Sequence, residues 1–343
     1  MSSPASPGPN VPFPPMEAEL VDDIPEGERW RYEPKWDGFR GVLENDGPEL
    51  ALWSRNGRPL LRYFPELRAV GERLPPHSAL DGEIVIERDG SLDFDAMQLR
   101  LHPAESRIRK LSAETPATFI AFDILLWNGE AVHERPLSER RLELERRAAA
   151  FTLSPQSRDV AQARSWLERL ELIGLDGVVC KRADLPYRPG SREAVVKVKH
   201  HKTCDCVIVG YRLSGKRIAT LLLGLYGDDG ELDFVGHTSG ITGRLQTDLQ
   251  ARLPPLVETG HLGAGRTPGG QSRWSQGKEL EWVEVRPEIV CEVRYDKMET
   301  ERFRHGTRFL RFRPDKEPRQ CTWEQVRPAR REGDPTISAL LGT

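Results

Sequence analysis

Short β-type runs separated by turn signals extend over most of this chain, and they limit its fold more than any other feature of the sequence. From Tyr32 to Lys199 these runs alternate with helical segments, a pattern typical of α+β domains. After Lys199 about five β runs follow with one helical segment among them, as a small Greek-key barrel of the OB type requires. The sequence therefore predicts an α+β chain, in which antiparallel sheets with helices are followed by an OB-fold β-barrel.

Individual patterns predict where the strands and helices lie. The predicted strands are 41–43, 50–53, 84–86, 119–127, 178–180, 194–198, 207–211, 219–226, 232–235, 282–285, 289–293 and 308–313. The predicted helices are 64–74, 138–151, 160–173 and 244–253. Asn128-Gly129 indicates a hairpin turn, and Gly174 indicates a helix C-cap. The segment 210–216 resembles a phosphate-binding P-loop, but Arg217 replaces the required Ser or Thr and a strand follows, so a hairpin turn is the better interpretation.

The length of 343 residues favours two domains over one ordinary core. Ser, Pro and Gly dominate residues 1–15, which predicts a disordered N-terminal arm. After residue 199 the pattern changes from alternating strands and helices to mainly β runs. We therefore place domains at 16–200 and 201–330 and a C-terminal tail at 331–343. The run His200-His201-Lys202 is interpreted as a polar linker, because nothing nearby supplies further metal ligands at useful spacing.

Composition restricts the class of protein and its location. The net charge is only −3, so the whole chain is not a basic nucleic-acid binder. The segment 302–319 nevertheless holds seven basic residues against two acids, and a solvated strand face is the alternative interpretation of that run. Five cysteines without a Cys-x-x-Cys pair indicate free thiols in a reducing compartment. With no apolar run of membrane-spanning length and no leader pattern, we expect a cytoplasmic protein.

The stretch Glu33–Arg40 places one lysine where it can act as a covalent nucleophile. Asp37 and Gly38 fit a tight turn after a short strand, which would expose the Lys35 amine at the mouth of a cleft. A deprotonated lysine is an amine nucleophile. On the isolated pattern, a solvated lysine beside an ordinary Asp-Gly turn is an equally good interpretation.

The pattern Lys-x-Asp-Gly-x-Arg resembles the signature of the nucleotidyltransferases that include ATP-dependent DNA ligases, RNA ligases and mRNA capping enzymes. Six further elements follow in the order of that family. They are Ser54–Arg58, Leu80–Val85, Phe119–Leu125, Leu175–Lys181, Val196–Lys199 and Arg308–Lys316. The chain is most similar to compact bacterial ATP-dependent DNA ligases, both the stand-alone C-type enzymes and the ligase domain of the bacterial end-joining polyprotein.

This resemblance implies an adenylation (nucleotidyltransferase) domain at 16–200 and an OB-fold domain at 201–330. It implies an ATP-dependent DNA ligase that seals 3′-OH/5′-phosphate nicks in duplex DNA through a lysyl-AMP intermediate, in DNA repair. ATP would be a substrate and Mg²⁺ or Mn²⁺ the cofactor. The expected partners are nicked duplex DNA and a repair polymerase or end-joining proteins, with the enzyme itself a monomer that joins the nucleoid when bound to DNA.

The resemblance also assigns roles to individual residues. Lys35 is expected to be the catalytic nucleophile. The residues expected to bind ATP or AMP are Glu33, Arg40, Arg55, Glu83, Phe122, Lys181, Lys197 and Lys199. The residues expected to orient the leaving pyrophosphate when the barrel closes are Arg308, Arg311, Arg313, Asp315 and Lys316. Glu83 and Asp176 are expected to hold the metal.

Two of these assignments need comment. Asp176 stands where many relatives carry glutamate, so we expect a shifted metal coordination shell with activity retained. Phe122 is expected to stack on adenine while Glu33 reads the edge of the base, and ordinary core packing is the alternative for this aromatic side chain.

Two other functions stay open at this point. An RNA ligase or capping-type nucleotidyltransferase would share the fold, although Arg308–Lys316 fits DNA ligases better. A non-catalytic OB-type nucleic-acid-binding protein would not need Lys35, Glu83, Lys197 and Lys199, all of which are present.

Overall fold

The chain forms two compact units in the computed structural model. The structure describes residues 9–199, 202–263, 268, 281–299, 301–304, 306–326 and 333–342. Unit 1 contains residues 1–200 and 331–343, and unit 2 contains residues 201–330. The division between the units falls after residue 200, and residues 331–343 are grouped with unit 1.

Unit 1 contains two sheets with helices packed around them. Its strands are β1 (Glu19–Val21), β2 (Trp30–Pro34), β3 (Phe39–Asn45), β4 (Leu50–Ser54), β5 (Ser78–Arg88), β6 (Ser91–Leu92), β7 (Ala117–Leu126), β8 (Thr152–Leu153), β9 (Gly177–Arg182) and β10 (Val195–Lys199). Its helices before residue 200 are α1 (Arg68–Gly71), α2 (Phe94–Leu99), α3 (Glu105–Glu114), α4 (Leu137–Arg147) and α5 (Val160–Arg169). One sheet has the order β1-β10-β9-β2, and the other has β4-β3-β5-β7-β8 with β6 on β5. The pairs β1–β10 and β7–β8 are parallel, and the other pairs are antiparallel as predicted.

The core of unit 1 lies on both faces of β5. On one face Ile84 belongs to a buried cluster with Phe64 and Met97. On the other face Val85 belongs to a second cluster that includes Trp36. Full burial of such an aliphatic side chain contributes about 1.5–3 kcal/mol to folding. Because Trp36 is part of this core, the loop between β2 and β3 is anchored beside β5.

Most of the predicted turns and helices agree with the structure. Asn128 and Gly129 have φ values of 51° and 82° and join Trp127 to Glu130 in a hairpin turn, as predicted. The predicted helix 160–173 is α5 followed by a 3₁₀ turn, and it ends at Gly174 with a φ of 86°. The predicted helix 64–74 is confirmed only in part, because a 3₁₀ turn over 65–67 precedes only four α-helical residues. No pattern in the sequence predicted α2 and α3.

In its described residues, unit 2 contains one large sheet, a separate two-stranded sheet and one α-helix. Its strands are β11 (Lys202–Ser214), β12 (Arg217–Tyr226), β13 (Leu232–Ser239), β14 (Val283–Glu284), β15 (Val290–Tyr295), β16 (Met298–Glu299), β17 (Arg302–Phe303) and β18 (Arg308–Phe312). The helix α6 (Gly243–Arg252) lies between β13 and β15 in the sequence. The sheet order is β13-β12-β11-β15-β18, and β14 pairs with β11.

The two edges of this sheet meet and close it. Thr307, directly before β18, forms a parallel bridge with Thr238 of β13. The Thr307 N–H donates to the His237 carbonyl at 2.9 Å, and the Thr238 hydroxyl donates to the Thr307 carbonyl at 2.7 Å. A closed five-stranded barrel with a helix after its third strand is an OB-type fold, so the predicted fold class is confirmed. The P-loop-like segment is the β11–β12 hairpin, with Gly215 at a φ of 61° in the turn.

Both terminal segments pack onto unit 1 where the structure describes them. Residues 9–15 lie within the segment predicted to be a disordered arm, yet Phe13 packs against a buried cluster and the Pro14 carbonyl accepts from Gly190 N–H at 2.9 Å. Tertiary contacts that composition does not reveal hold these residues. Near the other end, α7 (Ile337–Leu341) places Ile337 in the core cluster that contains Trp166. Within the described parts of both units, no helix has the length and apolarity to cross a membrane.

Candidate active site

Lys35 lies on the loop that carries the chain from one sheet of unit 1 to the other. It follows β2, which pairs with β9, and precedes β3, which pairs with β5. Its backbone N–H donates to the Gly177 carbonyl at 2.9 Å, and its side chain is 17% exposed. The amine is therefore held on a fixed loop and remains accessible, as a nucleophile must be.

Two motif glycines allow the backbones around Lys35 to approach each other closely. A Cβ atom on Gly38 would lie 2.0 Å from the Ile84 carbonyl oxygen, and one on Gly177 would lie 2.1 Å from that of Val198. Neither position can accept a side chain without moving the backbone. The Gly38 N–H also donates to Glu83 Oε1 at 3.1 Å, which ties the loop to β5.

Asp176 joins two lysines of the site. Its Oδ1 lies 2.6 Å from Lys35 Nζ, and its Oδ2 lies 2.8 Å from Lys199 Nζ. Burial opposes the charge of Asp176, but the two ammonium groups outweigh it and hold the pKa of this carboxyl well below its usual range. Burial, followed by repulsion from Lys35 and Lys199, lowers the pKa of Lys197. The carboxylate of Asp176 thus lies between the ammonium groups of Lys35 and Lys199.

Arg40 on β3 is held by a buried carboxylate on β5. Its Nε and Nη2 donate to Asp81 at 3.0 and 2.6 Å, and its Nη1 donates to the Met16 carbonyl at 2.5 Å. The Tyr187 hydroxyl donates to Asp81 at 2.8 Å. Burial disfavours the charge of Arg40, but Asp81 more than compensates and raises the pKa of the guanidinium. The Arg40 guanidinium is thus held by Asp81 and by the Met16 carbonyl, and Tyr187 in turn holds Asp81.

Glu33, Lys181 and Phe122 form the side of the site assigned to the base. Glu33 Oε1 lies 2.8 Å from Lys181 Nζ and accepts from Gln156 Nε2 at 2.9 Å. The partly exposed ring of Phe122 has Lys181 Nζ at 4.6 Å and the Arg40 guanidinium carbon at 5.3 Å from its centroid. This arrangement offers an aromatic surface beside a carboxylate and two cations.

Glu83 and Asp176 are the carboxylates assigned to a metal. Burial raises the pKa of Glu83 to about 8, although Arg40 and Lys35 act in the opposite direction. In the described part of the chain, no three His, Cys, Asp or Glu side chains are grouped as metal ligands. Mg²⁺ commonly binds through one or two carboxylates together with substrate phosphates and water. The donor chemistry of this pair therefore fits Mg²⁺ or Mn²⁺.

The remaining assigned residues belong to other segments of the chain. Arg55 is exposed on the turn after β4, where its charge influences Glu17. The residues assigned to the leaving group all belong to unit 2, on β18 and the loop that follows it. Their partners there include Asp205, which binds Arg313 and Lys316.

Four supporting residues were missed in the sequence analysis. They are Asp81, Gln156, Tyr187 and Asp205. Asp81 had a usable signal, because it belongs to the same motif element, Leu80–Val85, as Glu83. The other three contact site residues more than 100 positions away in the chain, so their spacing carried no signal.

Comparison with known proteins places most of the chain in one family. Residues 15–199 match the model of the ATP dependent DNA ligase domain, and residues 214–316 match that of the ATP dependent DNA ligase C terminal region. DNA ligase C2 of Mycolicibacterium smegmatis is 45% identical over 336 residues, which cover 92% of this chain and 94% of that protein. The multifunctional non-homologous end joining DNA repair protein LigD of Mycobacterium tuberculosis is 34% identical over 307 residues, which cover 86% of this chain and 38% of LigD.

A solved structure from a structure-function analysis of Lig E DNA ligases agrees at the level of the fold. It has a TM-score of 0.50 at 17% identity and covers 87% of this chain and 100% of its own. The resemblance noted in the motifs is thereby confirmed by two family models that together extend over residues 15–316 with a short gap. The chain belongs to the ATP-dependent DNA ligase family and is an enzyme that joins DNA strands with ATP.

Proposed function

We propose that this ligase forms its covalent intermediate on Lys35 and seals 3′-OH/5′-phosphate nicks in duplex DNA. The observation that carries this assignment is the position of the Lys35 amine, 2.6 Å from Asp176, which also pairs with Lys199. An accessible lysine on a fixed loop among cations suits attack on a triphosphate, because such a reaction depends mainly on positioning and charge neutralisation.

The first transfer forms lysyl-AMP. The neutral Lys35 amine attacks the α-phosphorus of ATP, so the Nζ–P bond forms while the bond to pyrophosphate breaks. The ammonium group that pairs with Asp176 must first release one proton to water, and the nitrogen releases a second proton to water as the Nζ–P bond forms. Lys197 and Lys199, on alternate positions of β10, are assigned to the α-phosphate oxygens.

The nucleotide is assigned to the surface around Phe122. Phe122 stacks on adenine, Glu33 reads the edge of the base, and Lys181 holds both of these side chains in place. Glu83 is assigned to the ribose hydroxyls. Arg40 and Arg55 are assigned to nucleotide or 5′-phosphate oxygens, which a planar guanidinium can hold in a bidentate manner.

Glu83 and Asp176 would hold the divalent cation, Mg²⁺ or Mn²⁺. The bound cation would supply positive charge that offsets the charge of the phosphates. Aspartate at position 176 has a shorter reach than the glutamate of many relatives, and contacts through water can compensate for that difference.

Arg308, Arg311, Arg313, Asp315 and Lys316 are assigned to the leaving pyrophosphate. In this proposal unit 2 closes over ATP for lysyl-AMP formation and then moves away so that DNA can reach the adenylate. AMP is next transferred to the 5′-phosphate of the nick, and attack by the 3′-hydroxyl then releases AMP.

The partner of the reaction is nicked duplex DNA, which the enzyme contacts through phosphates and without sequence preference. DNA repair is the proposed setting, since the relative LigD is named for non-homologous end joining. Repair polymerases or end-joining proteins are the proposed protein partners of a monomeric enzyme. The proposed cytoplasmic location accords with five cysteines that are all free and buried.

Covalent labelling tests the nucleophile. Incubation with α-labelled ATP and Mg²⁺ should label the wild-type protein, and Lys35→Ala should abolish the label without unfolding the protein. Lys110→Ala is the matched control, since this lysine is exposed on α3 and should label normally. Label that survives Lys35→Ala would place the nucleophile elsewhere.

The same assay separates the rival functions. A DNA ligase should accept ATP rather than GTP, and the bound label should move to nicked duplex DNA and disappear on sealing. Labelling by GTP would instead favour a capping-type enzyme, and sealing restricted to RNA nicks would favour an RNA ligase.

A further inference from the structure

Asp205, near the start of β11, binds two cations of the segment assigned to the leaving group. Arg313 Nη1 donates to both carboxylate oxygens of Asp205 at 2.9 and 3.0 Å. Lys316 Nζ donates to Asp205 Oδ2 at 2.8 Å. The Asp205 side chain is 11% exposed, and those of Arg313 and Lys316 are 21% and 20% exposed. The aspartate is therefore largely enclosed while its two partners still reach the surface.

The backbone of Asp205 is fixed from both sides. On one side it pairs with Glu292 in β15. On the other side its N–H donates to Gln325 Oε1 at 3.1 Å, and its carbonyl accepts from Gln325 Nε2 at 3.1 Å. The neighbours Cys204 and Cys206 point into the buried core of the barrel. The carboxylate thus projects from a rigid point on the opposite face of the strand.

The two cations keep donors available for an anion. A guanidinium has five N–H donors and an ammonium has three. The described contacts use Arg313 Nη1 on Asp205 and Arg313 Nε and Nη2 on Asp315, and they use a single bond from Lys316 Nζ. Further N–H bonds on both side chains can therefore bind phosphate oxygens while Asp205 stays in place.

We propose that Asp205 is a positioning residue for lysyl-AMP formation, which holds Lys316 and Arg313 in the geometry that receives the pyrophosphate. This inference rests on the proposed role of the segment Arg308–Lys316. Lys316 depends on Asp205 more than Arg313 does, since Arg313 is also held by Asp315. Lysine carries its charge on a flexible four-carbon stem, so loss of the carboxylate would disperse the ammonium over many rotamers. Preorganised charge is what stabilises a leaving group in the transition state.

The test measures two steps separately in Asp205→Asn, which keeps the size of the side chain and removes its charge. Lysyl-AMP formation at saturating ATP should slow roughly tenfold, because charge at the leaving group acts in the transition state. Sealing of a pre-adenylated nick without ATP should change by less than about twofold, because no pyrophosphate leaves in that step.

Asp205→Glu should recover part of the lost rate of lysyl-AMP formation. Glu288→Gln is the control, since it removes another carboxylate–guanidinium pair of unit 2, with Arg286.

A double-mutant cycle identifies the residue through which Asp205 acts. Lys316→Ala alone should slow lysyl-AMP formation, and in that background Asp205→Asn should have a much smaller effect. If Asp205→Asn slowed lysyl-AMP formation and sealing of a pre-adenylated nick equally, Asp205 would have a structural role. If it made lysyl-AMP formation faster, Asp205 would restrain the reaction. Either result would overturn the proposal. If Lys316→Ala itself has the wild-type rate, the proposed role of the segment fails. If Lys316→Ala slows lysyl-AMP formation but Asp205→Asn has the wild-type rate, the proposed role of the segment is retained and Asp205 is not a positioning residue.

Discussion

Around Lys35, charged side chains form ion pairs with partners from distant parts of the chain. Asp176 is the clearest case, because one carboxylate with two oxygens serves both Lys35 and Lys199. A carboxylate between two ammonium groups offsets part of their mutual repulsion in a partly buried pocket. Asp176 therefore allows Lys35 and Lys199, which are assigned to the reaction with ATP, to lie close together.

Glu83 should make the stability of the protein depend on pH. Its pKa is raised from 4.5 to about 8, so the folded state retains a proton that the unfolded chain releases. The free energy of unfolding should accordingly decrease as the pH rises from 4.5 to about 8. Because part of the side chain is exposed, the expected change is on the order of 2 kcal/mol.

Urea denaturation at several pH values across this range would measure the effect. Glu83→Gln has no proton to lose, so its stability should fall less steeply with pH than that of the wild type. Parallel pH profiles for the two proteins would contradict a raised pKa at Glu83.

The order of the motifs predicted which residues lie near Lys35. The spacing of residues along the chain could not predict the side chains that hold these residues in place. Lys35, Asp176 and Lys199 come together in the structure although 164 positions separate the first from the last, as their numbers in the sequence show. Gln156 on Glu33 and Tyr187 on Asp81 carried no local signal, because polar contacts between distant segments depend on the completed fold.

Strands were predictable from local pattern because they are short, apolar and bounded by turns. Every strand predicted in 41–313 coincides with a strand of the structure to within a few residues. Short elements escaped prediction when tertiary contacts rather than periodicity hold them. The helix α2 has only six residues, of which Phe94, Ala96 and Met97 are buried, so its stability comes from packing and not from its own sequence.

Gly38→Ala should disable lysyl-AMP formation by moving the loop that carries Lys35. The new Cβ would lie 2.0 Å from the Ile84 carbonyl oxygen, a backbone atom of β5 that cannot rotate away. A displacement of about 1 Å at a reacting group can cost about a hundredfold in rate. We expect a loss of at least that order in labelling by α-labelled ATP, with a lowered Tm.

Gly306→Ala is the comparison variant for this experiment. Its new Cβ would meet its nearest neighbour at 3.6 Å, an ordinary contact distance, so labelling and Tm should stay near wild type. Normal labelling by Gly38→Ala would show that the loop tolerates displacement and that close approach at this point does not position Lys35.

At the scale of the whole molecule, the chain leaves unit 1 after residue 200 and returns to it at residue 331. Unit 2 is thus an insertion with two covalent connections to unit 1. The returning segment ends in α7, whose N-cap Thr336 accepts from Ala339 N–H at 3.1 Å and whose Ile337 N–H donates to the Gly90 carbonyl at 3.1 Å. The composition of residues 331–343 did not predict this return, because the return depends on the packing of Ile337 against a cluster that is distant in the sequence.

Ile337→Ala should destabilise unit 1 although the residue follows unit 2 in the sequence. Ile337 is 1% exposed and packs in the cluster of Trp166, Leu170 and Leu92. Truncation of a buried isoleucine leaves a cavity and costs about 2–5 kcal/mol. Hydrogen exchange followed by mass spectrometry should then show faster exchange in α5 and β6, because local opening of their region becomes less costly.

Exchange in β11 and β12 should stay unchanged in Ile337→Ala. Leu213→Ala is the control, since this side chain of unit 2 is 51% exposed, and it should alter exchange in neither region. Faster exchange in both units alike would contradict the assignment of α7 to the core of unit 1 alone.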